Sequence, residues 1–362
     1  MSKAAELAKM GEVLTNSQIG GRRNIVINGA MQVAQRATSV AAVGGGNGFI
    51  TVDRFRKFAG STSGRHTQSQ ATITDLSGFA KALKLDCTTA DTSISAAEIL
   101  AIQYSMEGQD LQQLKKGTSD AESVTVSFYV KGNASATYTV ELEDGDNSRY
   151  NSQEFSVTTS WTRVVKTFVA DTTGTLDNDN ALSLSLNFIL NAGSNFTGGT
   201  HTDNVWHTTT NQRAGDSQTN FYDSTDREFF LTGVQLEVGS TATPFEHRSF
   251  GEELLLCQRY FVRLSRNDAY GEFFLLRTYD TSNGTCAHHL PVPMRDSPTL
   301  ETSTVNSSNF SYSLSALSIG HASTNFQNVE LFATGSFTAN GAAVVQKANN
   351  SDVITIDFKA EL

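Results

Sequence analysis

The chain has 362 residues and a formal net charge of −10 at pH 7, with 27 Lys and Arg against 37 Asp and Glu. An acidic chain repels phosphate backbones, which argues against a nucleic-acid partner, and the length predicts two or three domains. Charged residues make up 18%, below the ~25% of ordinary soluble domains; Ser, Thr, Asn and Gly fill the difference, a composition suited to short strands, turns and neutral polar surfaces.

The three cysteines, Cys87, Cys257 and Cys286, are odd in number and fit neither a CxxC site nor a disulfide framework. They read as free buried thiols, as expected of assembly in a reducing cytoplasm. The N-terminus, MSKAAELAKMGEV, lacks the apolar core of a signal peptide. No window approaches ~18 consecutive apolar residues, so no membrane insertion is expected.

Residues 3–14 read as a short amphipathic helix, with Leu7, Met10 and Leu14 on one face and Glu6, Lys9 and Glu12 elsewhere. A helix of about twelve residues is marginal alone in water, so it must dock on its own copies, another protein or its own domain. Asn16–Gly21 breaks it. Asn24–Asn28 reads as a short apolar strand, which makes residues 1–36 an N-terminal docking segment. Residues 37–48, ATSVAAVGGGNG, read as a flexible linker or loop.

From Phe49 the pattern becomes β. Val124, Val126, Phe128 and Val130 alternate with Thr125, Ser127 and Tyr129. Tyr138, Val140 and Leu142 repeat this, as do Leu182, Leu184, Leu186, Phe188 and Leu190. Val234, Leu236 and Val238 close the region. One helix is expected within it, over Ala96–Lys116, interrupted at Gly108. The fold class is therefore mostly β, with residues 37–248 an antiparallel β-sandwich of the jelly-roll kind found in carbohydrate-binding modules.

Ser249-Phe250-Gly251-Glu252 is a capping box before an apolar run, so a linking helix is expected over 249–262. Leu254, Cys257 and Phe261 share one face, and Leu256 and Tyr260 the next. Both faces need cover, which suggests a seat between domains or subunits. Leu254 and Phe261 join Leu7, Met10 and Leu14 as candidate oligomer or docking contacts. Residues 263–362 then form a second, C-terminal β domain. In it Ile354, Ile356, Phe358, Ala360 and Leu362 alternate with Thr355, Asp357, Lys359 and Glu361, a strand that must be paired to avoid becoming an aggregation edge. Pro291, Pro293 and Pro298 mark a loop.

Two stretches stand apart, GRRNIVINGAMQVAQR at 21–36 and GVQLEVGSTATPFEHRSFGEELLLCQRYF at 233–261. With Asp53-Arg54-Phe55 between them, they resemble segments of tail-fibre and related virion proteins of tailed bacteriophages, especially phages of marine bacteria. The matching positions are Asn24–Asn28, Gly29, Met31, Val33, Gln35 and Arg36, then Asp53–Phe55, then Thr232–Tyr260. The resemblance covers residues 1 to about 262 and leaves the C-terminal domain without a placed motif.

A catalytic constellation is not apparent. Asp144 and Asp146 flank Gly145, and Asp177 and Asp179 flank Asn178; both pairs read as turn formers, with glycosidase carboxylates or a calcium site as the alternatives. His288 and His289 are adjacent and point to opposite faces of a strand. His201 and His207, with Asp203 between them, form a weak metal candidate. No G-x-S-x-G, P-loop, strand-borne G-x-G-x-x-G or H-E-x-x-H is present. No enzyme activity, cofactor or metal is expected.

A binding role would rest on aromatics. The polar stretch Asn191–Ser224 holds Phe196, Trp206, Phe221 and Tyr222, and long irregular loops are often functional. Trp206 and Tyr222 are glycan-contact candidates, although the resemblance favours Trp206 as a structural plug; Trp161 reads as core or rim. In the C-terminal domain Tyr270 and Tyr279 are candidates as well, beside Phe310 and Tyr312, with filling of a small core as the alternative.

The resemblance implies a virion structural protein assembled in the host cytoplasm: a homotrimeric tail fibre or tail appendage contacting the host surface. Its partners would be its own copies, other tail or capsid proteins and host surface polysaccharide, with receptor contact in residues 262–362. A head-decoration protein or head fibre, and a polysaccharide depolymerase, are the alternatives.

Overall fold

Apolar residues that alternate with polar ones give strands with one buried face, and long stretches of this chain obey that rule. The structure, a computed structural model, describes Lys3 and residues 23–266, 271–302, 314–323, 326–346 and 354–362. It divides into two units, Met1–Phe250 and Gly251–Leu362. The expected helix over 3–14, with Leu7, Met10 and Leu14, lies outside the described residues, as do Tyr270, Phe310 and Tyr312.

Among the described residues the first unit holds twelve strands: β1 (Ser39–Val43), β2 (Gly48–Phe49), β3 (Phe55–Gly60), β4 (Arg65–Thr72), β5 (Lys81–Thr89), β6 (Ile99–Glu107), β7 (Val124–Gly132), β8 (Ala136–Asp144), β9 (Arg149–Val157), β10 (Thr162–Phe168), β11 (Leu182–Ala192) and β12 (Glu228–Val238). One sheet runs β1-β4-β5-β12-β7-β10 and the other β2-β3-β6-β11-β8-β9. Their pairings are antiparallel. Within them, β5-β12-β7-β10 and β6-β11-β8-β9 form two interlocked Greek keys, which is the strand order of a jelly roll. The mostly β, sandwich architecture expected from the alternation is therefore present. Between the sheets Phe128 meets Phe155 and Phe188 edge-on at 5.1 and 4.9 Å, in a core with Val126, Leu142, Leu186, Leu231 and Leu236.

Three local expectations are corrected. Ala96–Lys116 is not a helix: it forms β6 and then two 3-10 turns, Gly108–Asp110 and Gln112–Leu114. All of ILAIQYSME is buried and pairs at its two edges with β3 and β11; Leu100, Ile102, Tyr104 and Met106 alternate with Ala101, Gln103, Ser105 and Glu107, a period of two that the helix-forming residues around it mask. Residues 37–48 are not a free linker, since they contain β1 and begin β2, and the ammonium of Lys57 donates to the carbonyls of Gly44 and Gly45. Asn24–Asn28 is buried but forms no strand.

That last segment keeps one backbone bond to β12, from Ile25 N to Leu236 O at 3.0 Å, and is otherwise held by side chains. Asn24 Nδ2 donates to Val234 O at 3.1 Å, and its Oδ1 accepts from the amides of Val26 and Leu236 at 3.0 and 3.1 Å. The Asn24 amide donates to Glu246 at 2.7 Å, and Arg248 donates to the carbonyls of Asn24 and Val26. Asn28 clamps Val33 through both amide atoms at 2.9 Å and also reaches Asp53 O at 3.0 Å. Asp53 in turn accepts from Gln35, and Arg54 donates to Ser105 O at 2.6 Å. Gly29 lies so close to β12 that a Cβ there would stand 2.1 Å from Val234 O. The stretches that resemble virion proteins thus meet as one buried clasp between the two ends of the first unit. Residues 23–36 pack into this unit through these bonds.

The helix Phe250–Gln258 starts where the capping box places it, at the boundary between the two units. Two sheets follow. β13 (Phe261–Arg266), β20 (Ile354–Lys359) and β16 (Thr299–Thr302) form one, in that order. β17 (Leu314–Ala322), β18 (Asn328–Gly335), β15 (Asn283–His289), β14 (Glu272–Thr278) and β19 (Ala342–Gln346) form the other. β20, whose alternation demanded a partner, is the central strand of its sheet. Ile356 and Phe358 enter a core with Leu276, Leu290, Met294, Leu331 and Val345. Among the described residues no helix is long and apolar enough to cross a membrane.

Candidate functional site

On β8, Val140 and Leu142 face the sandwich core, so Thr139, Glu141 and Glu143 face outward. Register carries the same face to Arg56 and Phe58 on β3, Ala101 and Gln103 on β6, Ser185 and Asn187 on β11, and Tyr150 and Ser152 on β9. The irregular segment 193–220 covers the β8–β9 side of this face. His207 pairs with Tyr150 through both backbone bonds at 2.8 and 2.9 Å, Asn204 N donates to Ser152 O at 3.0 Å, and Gly215 N donates to Thr139 Oγ1 at 3.0 Å. What stays open is a cleft of about 140 Å³ over β3, β6, β11 and β8, with Phe58, Ile99, Ala101 and Ile189 as its apolar wall.

The polar floor is an ordered ionic group. Arg213 grips Glu141 with Nε and Nη2 at 2.8 and 2.7 Å and shares Nη2 with Glu143 at 2.8 Å. Its guanidinium lies 4.2 Å over the Tyr150 ring. Burial alone would lower the pKa of Arg213, but Glu141 and then Glu143 hold it above its usual value. Burial pushes the Glu143 carboxyl up, against the opposing pull of Arg213. Asn187 Nδ2 donates to both carboxylates at 2.9 Å. Those two acceptors fix which way the amide points. Among the described residues its Oδ1 has no partner, in a residue only 3% exposed.

Toward the opening the groups are less committed. The Glu143 side chain is 25% exposed, and its hydrogen bonds all run through Oε2. Arg56 makes one hydrogen bond, from Nη1 to Gln103 Oε1 at 3.2 Å. The cleft therefore offers acceptors and donors side by side along an apolar wall, which suits a ligand group that is both donor and acceptor. Glu141 and Glu143 are bound to one guanidinium and one amide, unlike an acid and base free to exchange protons.

The aromatic candidates do not gather here. Tyr222 is fully buried, its hydroxyl 2.9 Å from His66 Nδ1 and its ring packed on Phe221; this corrects its reading as a glycan contact. Burial pushes its hydroxyl pKa up. Trp206 is half-buried, donates from Nε1 to Val169 O at 2.8 Å and lies over the Lys116 ammonium. Trp161 caps a rim, donating to Asp75 at 2.9 Å. Tyr279 stands on the surface of the second unit, 41% exposed. Phe261 lies in β13 rather than on the helix and is fully buried within the chain, which corrects its reading as an oligomer contact; Leu254 is half-buried.

The paired acids are turn formers. Asp146 accepts from the Asp177 amide at 2.9 Å, and Asp179 from the Ala181 amide at 2.8 Å. Asp144 is buried against Lys116, whose ammonium also meets Asp171 at 3.1 Å and the carbonyls of Thr173 and Gly174 at 3.0 Å each. Burial pushes the Asp171 carboxyl up, but Arg149, the Thr173 amide and Lys116 overcome it and hold it below the usual range. His201 bonds to Ser152 at 3.0 Å. His288 stacks on Phe358, and His289 bonds to Asn328 on the other face. Among the described residues no group of three or more His, Cys, Asp or Glu is placed to hold a metal.

The cleft residues Arg56, Gln103, Glu141, Glu143, Asn187 and Arg213 were not singled out from the sequence. The one available signal was Glu-x-Glu on the polar side of an otherwise apolar strand.

No protein-family model matches the chain, and no curated protein matches it. Among solved structures it is similar to a family 11 carbohydrate-binding module from Clostridium thermocellum, in complex with a β-1,3-1,4-mixed-linked tetrasaccharide. That match has 12% identity and a TM-score of 0.29, and covers 57% of this chain and 99% of that one. It is also similar to the module TmCBM61 in complex with β-1,4-galactotriose, at 9% identity and a TM-score of 0.30, covering 60% of this chain and 99% of that one. Likeness at this level carries no functional weight; the jelly roll rests on the strand order itself.

Proposed function

We propose that the chain is a virion structural protein of a tailed bacteriophage, a homotrimeric tail fibre or tail appendage that touches host surface polysaccharide without cleaving it. The virion reading draws on the resemblance of residues 21–36, 53–55 and 232–260. The observation that carries the contact role is the open cleft over β3, β6, β11 and β8, where unspent hydrogen-bonding groups line an apolar wall on the outside of a rigid sheet. Self-association draws support from Phe250 and Leu255, which stand 58% and 48% exposed on one helix.

Placing the contact on the first unit moves it away from residues 262–362. A chimaera in which residues 251–362 are exchanged for those of a related phage tests this. Adsorption should follow residues 23–250, and adsorption that follows the exchanged part would remove the cleft from the role. Labelling virions with an antibody to this chain separates a tail position from a head decoration.

A depolymerase is the second reading, favoured by one observation: the raised carboxyl of Glu143 beside Glu141. Against it stands the commitment of both carboxylates to Arg213 and Asn187. Incubating the protein with host polysaccharide should release no new reducing ends.

A further inference from the structure

We propose that the cleft selects an uncharged, hydroxyl-bearing sugar ring, rather than an acidic or amino sugar, with Asn187, Glu143 and Arg56 as the residues that set this preference. The inference rests on the reading of the cleft as a glycan contact and names the class of glycan. Charge balance is the first argument. The lining holds two guanidinium groups, Arg56 and Arg213, and two carboxylates, Glu141 and Glu143. Arg213 is consumed by both acids. A ligand carboxylate or sulfate would gain Arg56 but would lie beside the two acids. A ligand ammonium would gain Glu143 but would lie beside Arg56 and Arg213. Each pays for desolvation without a matched counter-charge, whereas a hydroxyl does not.

The hydrogen-bond inventory is the second argument. Asn187 Oδ1 sits in the floor as an acceptor with no donor, and its orientation is imposed by Glu141 and Glu143. Glu143 Oε1 is a second acceptor, and the unspent N–H groups of Arg56 are donors. One alcohol group can donate to an acceptor and accept from a donor at once, so neighbouring hydroxyls on a ring fit this set. A carboxylate or sulfate group in place of a hydroxyl supplies no donor to the two acceptors. Size is the third argument. A cavity of ~150 Å³ accepts one six-membered carbon ring, so about 140 Å³ takes one ring and not several. Phe58 and Ile189 in the wall suit its apolar C–H face.

The test uses the full chain and calorimetric titration with three oligosaccharide probes: a neutral glucan or galactan, a polyuronate and a chitosan oligomer. Saturable binding of a neutral probe is expected, with the polyuronate and chitosan at least tenfold weaker. Glu143→Gln and Arg56→Leu, both at the opening, should each weaken neutral binding about tenfold, the effect of losing one charge-assisted hydrogen bond. Asn187→Leu should abolish it, and Leu275→Ser on the second unit should leave it unchanged. Binding of the polyuronate or chitosan as tight as the neutral probe, and sensitive to the same variants, overturns the class while keeping the glycan contact. Neutral binding indifferent to Glu143→Gln and Arg56→Leu overturns the site. Binding of no probe overturns both this inference and the reading it rests on.

Discussion

His66 should make the first unit sensitive to acid. It lies fully buried on β4, its Nδ1 bonded to the Tyr222 hydroxyl and its Nε2 without a partner among the described residues. Burial first, and then the Lys57 ammonium, drive its pKa from 6.5 down to about 4, with Gln68 opposing. The unfolded chain binds a proton near pH 6.5, while the folded one does so only near pH 4. Stability is therefore full above about pH 6.5 and falls as pH drops toward 4, by up to about 1.4 kcal/mol per pH unit. Across the whole window the loss is about 3 kcal/mol, and below pH 4 it saturates. Both tryptophans, Trp161 and Trp206, lie in the first unit, so their fluorescence reports its unfolding by urea. Carboxylates held low, such as Asp75, Asp91 and Asp171, also lose stability in acid, so the readout is the difference from His66→Gln. The variant should lose about 2–3 kcal/mol less than the parent between pH 7 and 4.5. Equal losses in the two proteins would refute the assignment of the acid limb to His66.

Gly29→Ala should destabilise the first unit by about 1–3 kcal/mol through overpacking, because the new Cβ meets the backbone oxygen of Val234, which cannot step aside; a urea midpoint unchanged from the parent would contradict the clasp. Lys116→Met should remove roughly 3–5 kcal/mol by leaving Asp144 buried without its cation. That loss is best read by circular dichroism, since Trp206 covers the ammonium and its fluorescence would change without unfolding. Removal of residues 1–22 should leave the jelly roll folded, whereas removal of residues 1–36 should unfold it, with β-sheet ellipticity as the measure. Equal stability of the two truncations would show that the clasp is dispensable.

Much of the sandwich was legible because half-buried strands carry a period of two. β7, β8, β11 and β20 announce themselves that way, and the register in the structure places their apolar residues inward. β6 escaped although Leu100, Ile102, Tyr104 and Met106 alternate with Ala101, Gln103, Ser105 and Glu107, because Ala, Leu, Gln and Glu in its neighbourhood are good helix formers. Tertiary pairing with β3 and β11 overrode that propensity. The 24–28 segment escaped for the opposite reason. It looks like a strand, yet Asn24 supplies by side chain the hydrogen bonds a ladder would give, and Asn28 and Met31 adopt positive φ of 61° and 57°. A side-chain clasp has no periodic signature.

The candidate site was nearly illegible, and the reason is topological. Its members come from β3, β6, β8, β11 and the irregular segment before β12, five separate places that only the Greek-key crossings bring together. The strongest sequence signals, by contrast, were buried: Asn24, Asn28, Asp53, Arg54 and Gln235 are each 1% exposed or less. A long motif whose residues are interior fixes how the two ends of a unit are closed, and it constrains what the surface touches very little. Arg56 illustrates the division. It follows Asp53-Arg54-Phe55 directly, and the pleat that turns Phe55 into the core turns Arg56 out over the cleft. The closure of the unit and the edge of the cleft thus share one short stretch, residues 53–56. Arg56, Gln103, Glu143 and Asn187 can therefore change without disturbing the closure that makes the unit fold.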